Sequence, residues 1–361
     1  MPFVNYGESP LKGIVPDEWL DTQRRLLENA RVIVALHHNP VRVGHCVIFP
    51  KKSHVPRIQA CDADDMVAIG MVLPVIKRGL RFVTGYQCYV CVLRSGPLAE
   101  QTIDQLYMEV VPTIAAQPSV EIDWDPSNDR KAGTERKLTG AQAAKLVHVI
   151  RQGMGLKQTT GFRHVVYETQ GIIAELVQHP SSTGHMALHP KRLSPDLEDC
   201  DPHDISGCLR EVPRIARAIQ HGTNQQDFWV CLLNGPDAGQ KEPHLSLQLV
   251  PCPKLKRTVS VALKGEATIA PEVARQLSDA MDAVAGEDQI GSALHRPSNP
   301  TESAWVEPRT DPKVHPRGES CPWLERARAP HPQLEEWATR RDVYRSDDAF
   351  FEPPPPPPPR G

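Results

Sequence analysis

The feature that most constrains this chain is an internal repeat. Residues 31–52 read RVIVALHHNPVRVGHCVIFPKK, and residues 171–192 read GIIAELVQHPSSTGHMALHPKR. His45 and His185 stand 140 positions apart, as do Pro40 and Pro180, Gly44 and Gly184, Pro50 and Pro190, and Lys51 and Lys191. The offset then slips by one. Pro74 and Pro213, each inside an apolar helical stretch, are 139 apart, and both copies close with the same offset at Pro112 and Pro251. A register held from His45 through Pro112 means that one domain is present twice.

Within each copy the hydrophobic period changes in a fixed order. Val32, Val34 and Leu36 alternate with their neighbours, and CVIF after Gly44 is a second short apolar run, which predicts two strands joined at a proline-containing turn. Asp62 suits the N-cap of a helix carrying Met66, Ile69, Val72, Leu73 and Ile76, and Asp204 suits the same place before Ile205, Leu209, Val212 and Ile215. A further strand follows in each copy, YVCVL and FWVCLL. Helices are also expected ahead of the copies, at 17–28 and 139–152. The order predicts an α+β fold, each repeat an antiparallel sheet with helices.

A chain of 361 residues has room for two such domains. A net charge of -3 gives no electrostatic drive toward nucleic acid or membrane, and no run of apolar residues is long enough to span a bilayer. The nine cysteines lack metal-ligand or disulfide-framework spacing, which predicts reduced, partly buried thiols and no metal site. The first twenty residues have neither a signal-peptide core nor an Arg-rich amphipathic pattern. The expected location is intracellular and non-secreted, cytoplasmic by default, with an organelle such as the mitochondrion left open. Proline, at 36 residues, is concentrated after Pro297, where Trp305, Trp323, Leu324, Trp337, Tyr344, Phe350 and Phe351 punctuate a polar segment ending in a proline run. Aromatic anchors spaced from Trp305 to Phe351 suit a tail that lies over a protein partner or over its own core.

The order NP, GH, PK, a helix, then NG, GQ and PHLSLQLVP resembles the histidine triad (HIT) family of nucleotide hydrolases and transferases, over 16–112 and 139–252. The second copy carries it best, with Asn234, Gly235, Gly239, Gln240, Pro243 and His244 in place, while the first keeps Gly96, Gln101 and Pro112. The family's last strand carries HxHxH. Alternate strand residues share a face, so three imidazoles line up over a phosphate; the central one attacks phosphorus and its neighbours supply charge or protons. Here the three positions are Gln105, Tyr107 and Glu109 in the first copy and His244, Ser246 and Gln248 in the second. Neither copy has the central histidine. In the first, Glu109 is expected to face the place of a phosphate and repel it. In the second, a serine mechanism would need a base, His244 being the nearest in sequence.

The resemblance implies two degenerate repeats forming an intramolecular pseudo-dimer. The expected domains are repeat 1 over 1–112, a linker over 113–138, repeat 2 over 139–252, a strand and helix extension over 253–294, and the proline-rich tail over 295–361. It further implies a catalytically inactive protein, without cofactor, serving as a structural or binding component of a larger assembly. Asn234, Gly239, Gln240, His244 and Ser246 are then the residues expected to hold a nucleotide or phosphate in repeat 2. Two alternatives remain at this level: a nucleotide phosphohydrolase or nucleotidyl transferase working from repeat 2, and a nucleotide sensor or RNA-contacting module. The lack of a basic excess counts against the RNA role.

Overall fold

The computed structural model describes residues 11–52, 54–123, 139–156, 164–253 and 259–294, with side chains given to residue 285. The expected tail from Trp305 to Phe351 lies outside the described residues, as does most of the expected linker. The first copy runs α1 (Asp17–Leu20), β1 (Arg25–Glu28), β2 (Val32–Leu36), β3 (Cys46–Pro50), α2 (Ala63–Thr84), β4 (Cys88–Ser95) and β5 (Met108–Thr113). After β6 (Val120–Asp123) comes α3 (Gly140–Gly153). The second copy runs β7 (Val165–Glu168), β8 (Ile172–Leu176), β9 (Met186–Pro190), α4 (Pro202–Thr223), β10 (Asp227–Asn234) and β11 (Leu247–Cys252). It is followed by β12 (Ser260–Leu263) and α5 (Pro271–Leu294).

Ten strands form one antiparallel sheet in the order β1-β2-β3-β5-β4-β10-β11-β9-β8-β7. The central joint is the β4–β10 ladder, where Val92 pairs with Cys231 and Arg94 with Trp229. Val92 and Cys231 occupy equivalent positions of the sequence repeat. Every residue of β4 is buried, and so is β10 except for the half-buried Leu233, so the joint lies inside the protein. Alternation then decides which side chains meet which layer. Tyr89, Cys91, Leu93, Phe228, Val230 and Leu232 enter the large core beneath the helices, while Val90, Val92, Trp229 and Cys231 pack on the opposite side against Val120 and Val261 of the small β6–β12 sheet.

The two long helices start and stop by local chemistry. The Asp62 carboxylate accepts from the Asp64 N–H at the start of α2, and Gly85 ends it with φ 73°. In α4 the cap is Asp201, not Asp204. Pro202 occupies the first turn, where a missing N–H costs nothing, so the helix begins three residues earlier than the apolar period suggested and Asp204 falls inside it. Pro74 and Pro213 are buried within their helices. The helices pack on each other where Gly70 of α2 meets Ser206 of α4; a Cβ on Gly70 would stand 2.5 Å from the Ser206 Cα. Buried Lys77 of α2 pairs with Asp196 of the second copy, and Arg57 pairs with buried Asp227.

Two further expectations change. The helix expected over 17–28 is helical only over Asp17–Leu20, and Arg25–Glu28 is strand β1. Leu26 and Leu27 lie seven and eight positions after Trp19, which imitates a helical stripe, but the outer edge of β2 needs main-chain partners and β1 supplies them. The segment expected as linker is strand over Val120–Asp123, where pairing with β12 covers the middle of the large sheet. Eight cysteines are described, all buried and free, and burial pushes the Cys61, Cys91 and Cys231 thiols up to about 12. Among the described residues no helix is long and apolar enough to cross a membrane.

The α2–α4 crossing yields a direct stability test. Gly70→Ala is expected to lower stability by about 1–3 kcal/mol, because the new methyl meets backbone that cannot step aside. Gly207→Ala, whose Cβ would meet only Ile172 Cγ2 at 3.5 Å, is expected to be nearly neutral or slightly stabilising. Thermal unfolding of the two variants checks the difference.

Candidate functional site

The candidate positions lie where β5 and β11 begin, on the sheet face away from the long helices. In the first copy this face is closed. The Gln105 side-chain oxygen accepts from the Val55 N–H at 2.8 Å, and its amide donates to the carbonyls of Pro50 and Lys52 at 3.3 and 3.2 Å. The Tyr107 hydroxyl meets the Thr102 hydroxyl at 3.1 Å, and Trp19 of α1 packs edge-on against the Tyr107 ring at 5.0 Å. Leu11, Val15, Trp19, Ile33, Ala35, Val47, Phe49 and Tyr107 make one buried cluster. The chain ahead of β1 therefore fills the first face.

Glu109 behaves differently from its sequence expectation. Its buried carboxylate pairs with Arg94, which lies over the Trp229 ring at 5.2 Å, while His37 Nε2 and His45 Nε2 each stand 3.8 Å from its other oxygen. The charge is turned inward and neutralised, so what keeps a phosphate away is filled space rather than an exposed like charge. Burial lowers His37 to about 4 and His45 well below the ordinary histidine range, so both rings are neutral near pH 7 and Arg94 is the counter-charge. The ligand atoms of His37, His45 and Glu109 lie within 4.8 Å of one another. The two imidazoles, however, stack at 4.3 Å with planes 7° apart, so their in-plane lone pairs run side by side instead of converging on one ion.

In the second copy the expected ligand residues come together, but most of their polar atoms are engaged by the chain itself. The Asn234 side chain accepts from the Leu197 N–H at 2.7 Å and donates to Asp196 at 3.1 Å. Gln240 accepts from the Gly235 N–H at 2.6 Å and donates to the carbonyls of Pro195 and Glu242 at 3.0 and 2.8 Å. Gly239, at φ 82°, closes the tight turn over Pro236–Ala238, a conformation that favours glycine for backbone reasons alone. His244 Nδ1 accepts from the Ser194 N–H at 3.2 Å, which leaves Nε2–H to donate to the Pro190 carbonyl at 2.8 Å. With both nitrogens held by main chain, His244 is not available as a base for Ser246.

Ser246 is oriented by His185, which the sequence marks only as a position of the repeat. The Ser181 N–H donates to His185 Nδ1 at 3.2 Å, so Nε2–H donates to the Gln248 oxygen at 3.0 Å. The Gln248 amide in turn donates to Ser246 Oγ at 2.5 Å. Burial lowers His185 to about 4, so the relay is neutral. The sequence also hid His189. Leu188 pairs with Leu247 in the β9–β11 ladder and points into the helix-side core, so the next position, His189, lies on the opposite sheet face, the one that carries the candidate residues. His189 Nε2 is 3.6 Å from Glu175 Oε1, and its ring lies 5.9 Å from that of His244 at 13°. The equivalent positions in the first copy are Phe49 and Ala35, buried beneath Trp19; here Glu175 and His189 keep 42% and 25% of their side-chain exposure.

Residues 160–252 match the HIT domain. The chain is 31% identical over 86 residues to adenylylsulfatase HINT3 of Arabidopsis thaliana, covering 24% of this chain and 44% of that protein. It is 27% identical over 87 residues to the asymmetrical bis(5'-nucleosyl)-tetraphosphatase of Schizosaccharomyces pombe (strain 972), covering 24% and 48%. The chain thus spans less than half the length of these relatives. Among solved structures, a uridylyltransferase superposes with a TM-score of 0.44 at 9% identity over 71% of this chain and 86% of that one. An ADP-glucose phosphorylase from Arabidopsis thaliana with bound ADP-glucose gives 0.41 at 12% identity over 69% and 81%. The segment 160–252 is therefore similar to the histidine triad domain, and these relatives support placing it in the histidine triad superfamily.

Proposed function

We propose that this chain is a tandem histidine-triad-like protein whose two copies form a pseudo-dimer within one chain, inactive in the triad reaction and serving as a structural or binding component of a larger assembly. The observation that carries this reading is the state of the second copy, where Ser246 stands in the nucleophile position as a hydrogen-bond acceptor from a neutral amide while His244 is tied to main chain. Attack on phosphorus needs a lone pair freed by a base, and no triad position supplies one. The pairing of Val92 with Cys231 supports the pseudo-dimer, since equivalent residues meet at a two-fold axis. Names such as adenylylsulfatase and tetraphosphatase describe relatives that act on phosphate compounds; the same activity here would have to proceed without the triad's central imidazole.

The segment 295–361 carries the proposed partner contacts, by its aromatic residues from Trp305 to Phe351. Capture of cellular proteins by the full chain and by a version lacking 295–361 is expected to differ, with partners lost on truncation. Equal recovery by both forms, or none by either, refutes the assembly role. For the chemistry, purified protein is expected to leave adenosine phosphoramidates and diadenosine polyphosphates intact. Turnover that disappears in Ser246→Ala would overturn the reading.

If the buried histidines serve packing rather than catalysis, acid should expose them. His37 and His185 have folded pKa values of about 4, below the ordinary 6.5 of an unfolded chain. Their contribution is therefore complete above about pH 6.5 and is lost as pH falls toward 4, because the unfolded chain takes up protons that the fold refuses. Each should cost about 2–3 kcal/mol between pH 7.5 and 4.5. Urea unfolding at the two pH values is expected to show a smaller difference in His185→Gln than in the natural chain; an unchanged difference would mean that His185 is not the sensor.

A further inference from the structure

The turn into β8 and the start of α4 follow the same hydrogen-bond plan as the turn into β2 and the start of α2. Asn29 Oδ1 accepts from the Arg31 and Val32 N–H groups, and Thr169 Oγ1 accepts from those of Gly171 and Ile172. The Arg31 and Gly171 carbonyls accept from the Lys51 and Lys191 N–H groups, each at 2.7 Å. Asp62 and Asp201 cap the helices, and Asp65 and Asp204 stand three residues further on. One side chain breaks the match. Arg31 donates to Asp65 at 2.9 Å and to Asp64 at 3.0 Å, and its counterpart is Gly171. Between Gly171 and Asp204 the second copy has a cavity of about 150 Å³, walled by Ile172, Gly207 and Glu211, with exposed His203 and Arg210 beside them. We propose that this cavity binds a guanidinium group, carried on an arginine side chain of a partner protein or on a small free guanidine, with Asp204 as its carboxylate partner.

The first copy is the template for the ligand. There Asp65 receives Arg31 on Oδ1, while its Oδ2 is turned inward and accepts no hydrogen bond. Asp204 is held the same way, with Oδ2 buried and without a hydrogen bond, and its side chain keeps 14% of its exposure. Arg192 approaches that Oδ2 with Nε at 3.5 Å, too far for a hydrogen bond, and spends its Nη1 on Asp201 at 3.0 Å. Glu211, where the first copy has Val72, brings a second buried carboxylate to the cavity, with Arg214 at 3.8 Å. Burial raises both the Asp204 and the Glu211 carboxyl, a strain on the charged forms that a bound cation offsets.

Space and shape agree with this ligand. A cavity of this size admits a molecule as large as benzene, and a guanidinium is smaller. Gly207 in place of Ala68 widens it, and Ile172 offers apolar surface to a methylene stem. Gly171 lies outside the left-handed region and a Cβ on it would meet nothing within 4 Å, so the turn leaves the space open. Residues 157–163 join β7 at its other end, at His164, five residues or about 16 Å of strand from Thr169. A planar fork of N–H donors matches a carboxylate better than the point charge of an ammonium, as Arg31 illustrates by reaching two acceptors at once.

Calorimetric titration of the full chain with agmatine, and with a capped Gly-Arg-Gly peptide, tests the site. Agmatine is expected to bind one to one. The same peptide with citrulline for arginine, planar but uncharged, should give no heat. Asp204→Asn should weaken agmatine binding about 10- to 100-fold, the loss expected for a hydrogen bond to a charged group. Gly171→Arg should abolish binding and raise the thermal unfolding midpoint, because the new side chain takes the place that Arg31 holds in the first copy. Peptide binding equal to that of agmatine identifies a partner's arginine as the occupant, and agmatine binding alone identifies a small free guanidine. No heat with agmatine, binding unchanged by Asp204→Asn or by Gly171→Arg, or equal binding of the citrulline peptide would overturn the proposal. The site uses none of the triad positions, so cleavage of diadenosine polyphosphates would strike only at the reading under Proposed function.

Discussion

The ladder between β4 and β10 is the constraint on which the rest of the molecule depends. It joins two five-stranded sheets into one and removes the exposed strand edge that each copy would otherwise present at its centre. Because that ladder fixes the register, α2 and α4 are brought close enough for Gly70 to meet Ser206. The same register delivers Lys77 to Asp196 and Arg57 to Asp227, buried or partly buried pairs whose members come from different copies. Those pairs are not interchangeable. The repeat offset places Asp196 at the position of Arg57, so two second copies would meet with acid against acid, and each copy therefore fits the other better than itself.

On this common frame the matching positions of the two sequence repeats have opposite surroundings. The first has become core: Trp19 covers Tyr107, Arg94 neutralises Glu109, and two neutral imidazoles stack beside the pair. Breaking the Arg94–Glu109 pair would leave a buried charge alone, which explains why such a polar group persists only as a set. In the second copy, the side-chain amides around the Gly235 turn serve the fold. Asn234 and Gln240 hold the segments around Leu197 and Pro195 against the Gly235 turn, so they would remain useful in a protein that binds no phosphate. What stays partly exposed is the neighbouring pair of Glu175 and His189.

The alternating strands and the two long helices were legible in the sequence, because each is a local pattern. Period and residue type suffice to place Val32, Val34 and Leu36 on one side of a strand. The errors arose where local pattern met a distant demand. Residues 25–28 imitate a helix in spacing but serve the edge of β2, and Val120–Asp123 looks like linker until β12 arrives from more than a hundred residues downstream.

The candidate site was less legible for the same reason. The sequence by itself determined that Tyr107 and Ser246 stand where the resemblance expects the central histidine, since that needs only their identities. It could not determine the fate of the surrounding polar groups, because a hydrogen bond depends on which atom is within about 3 Å and not on which residue is near in number. Only the tertiary structure decided that Trp19 closes the first face, that Pro190 and Ser194 take both nitrogens of His244, and that His185 reaches Ser246 through Gln248. Cross-strand neighbours are set by register, and register is set by the whole sheet.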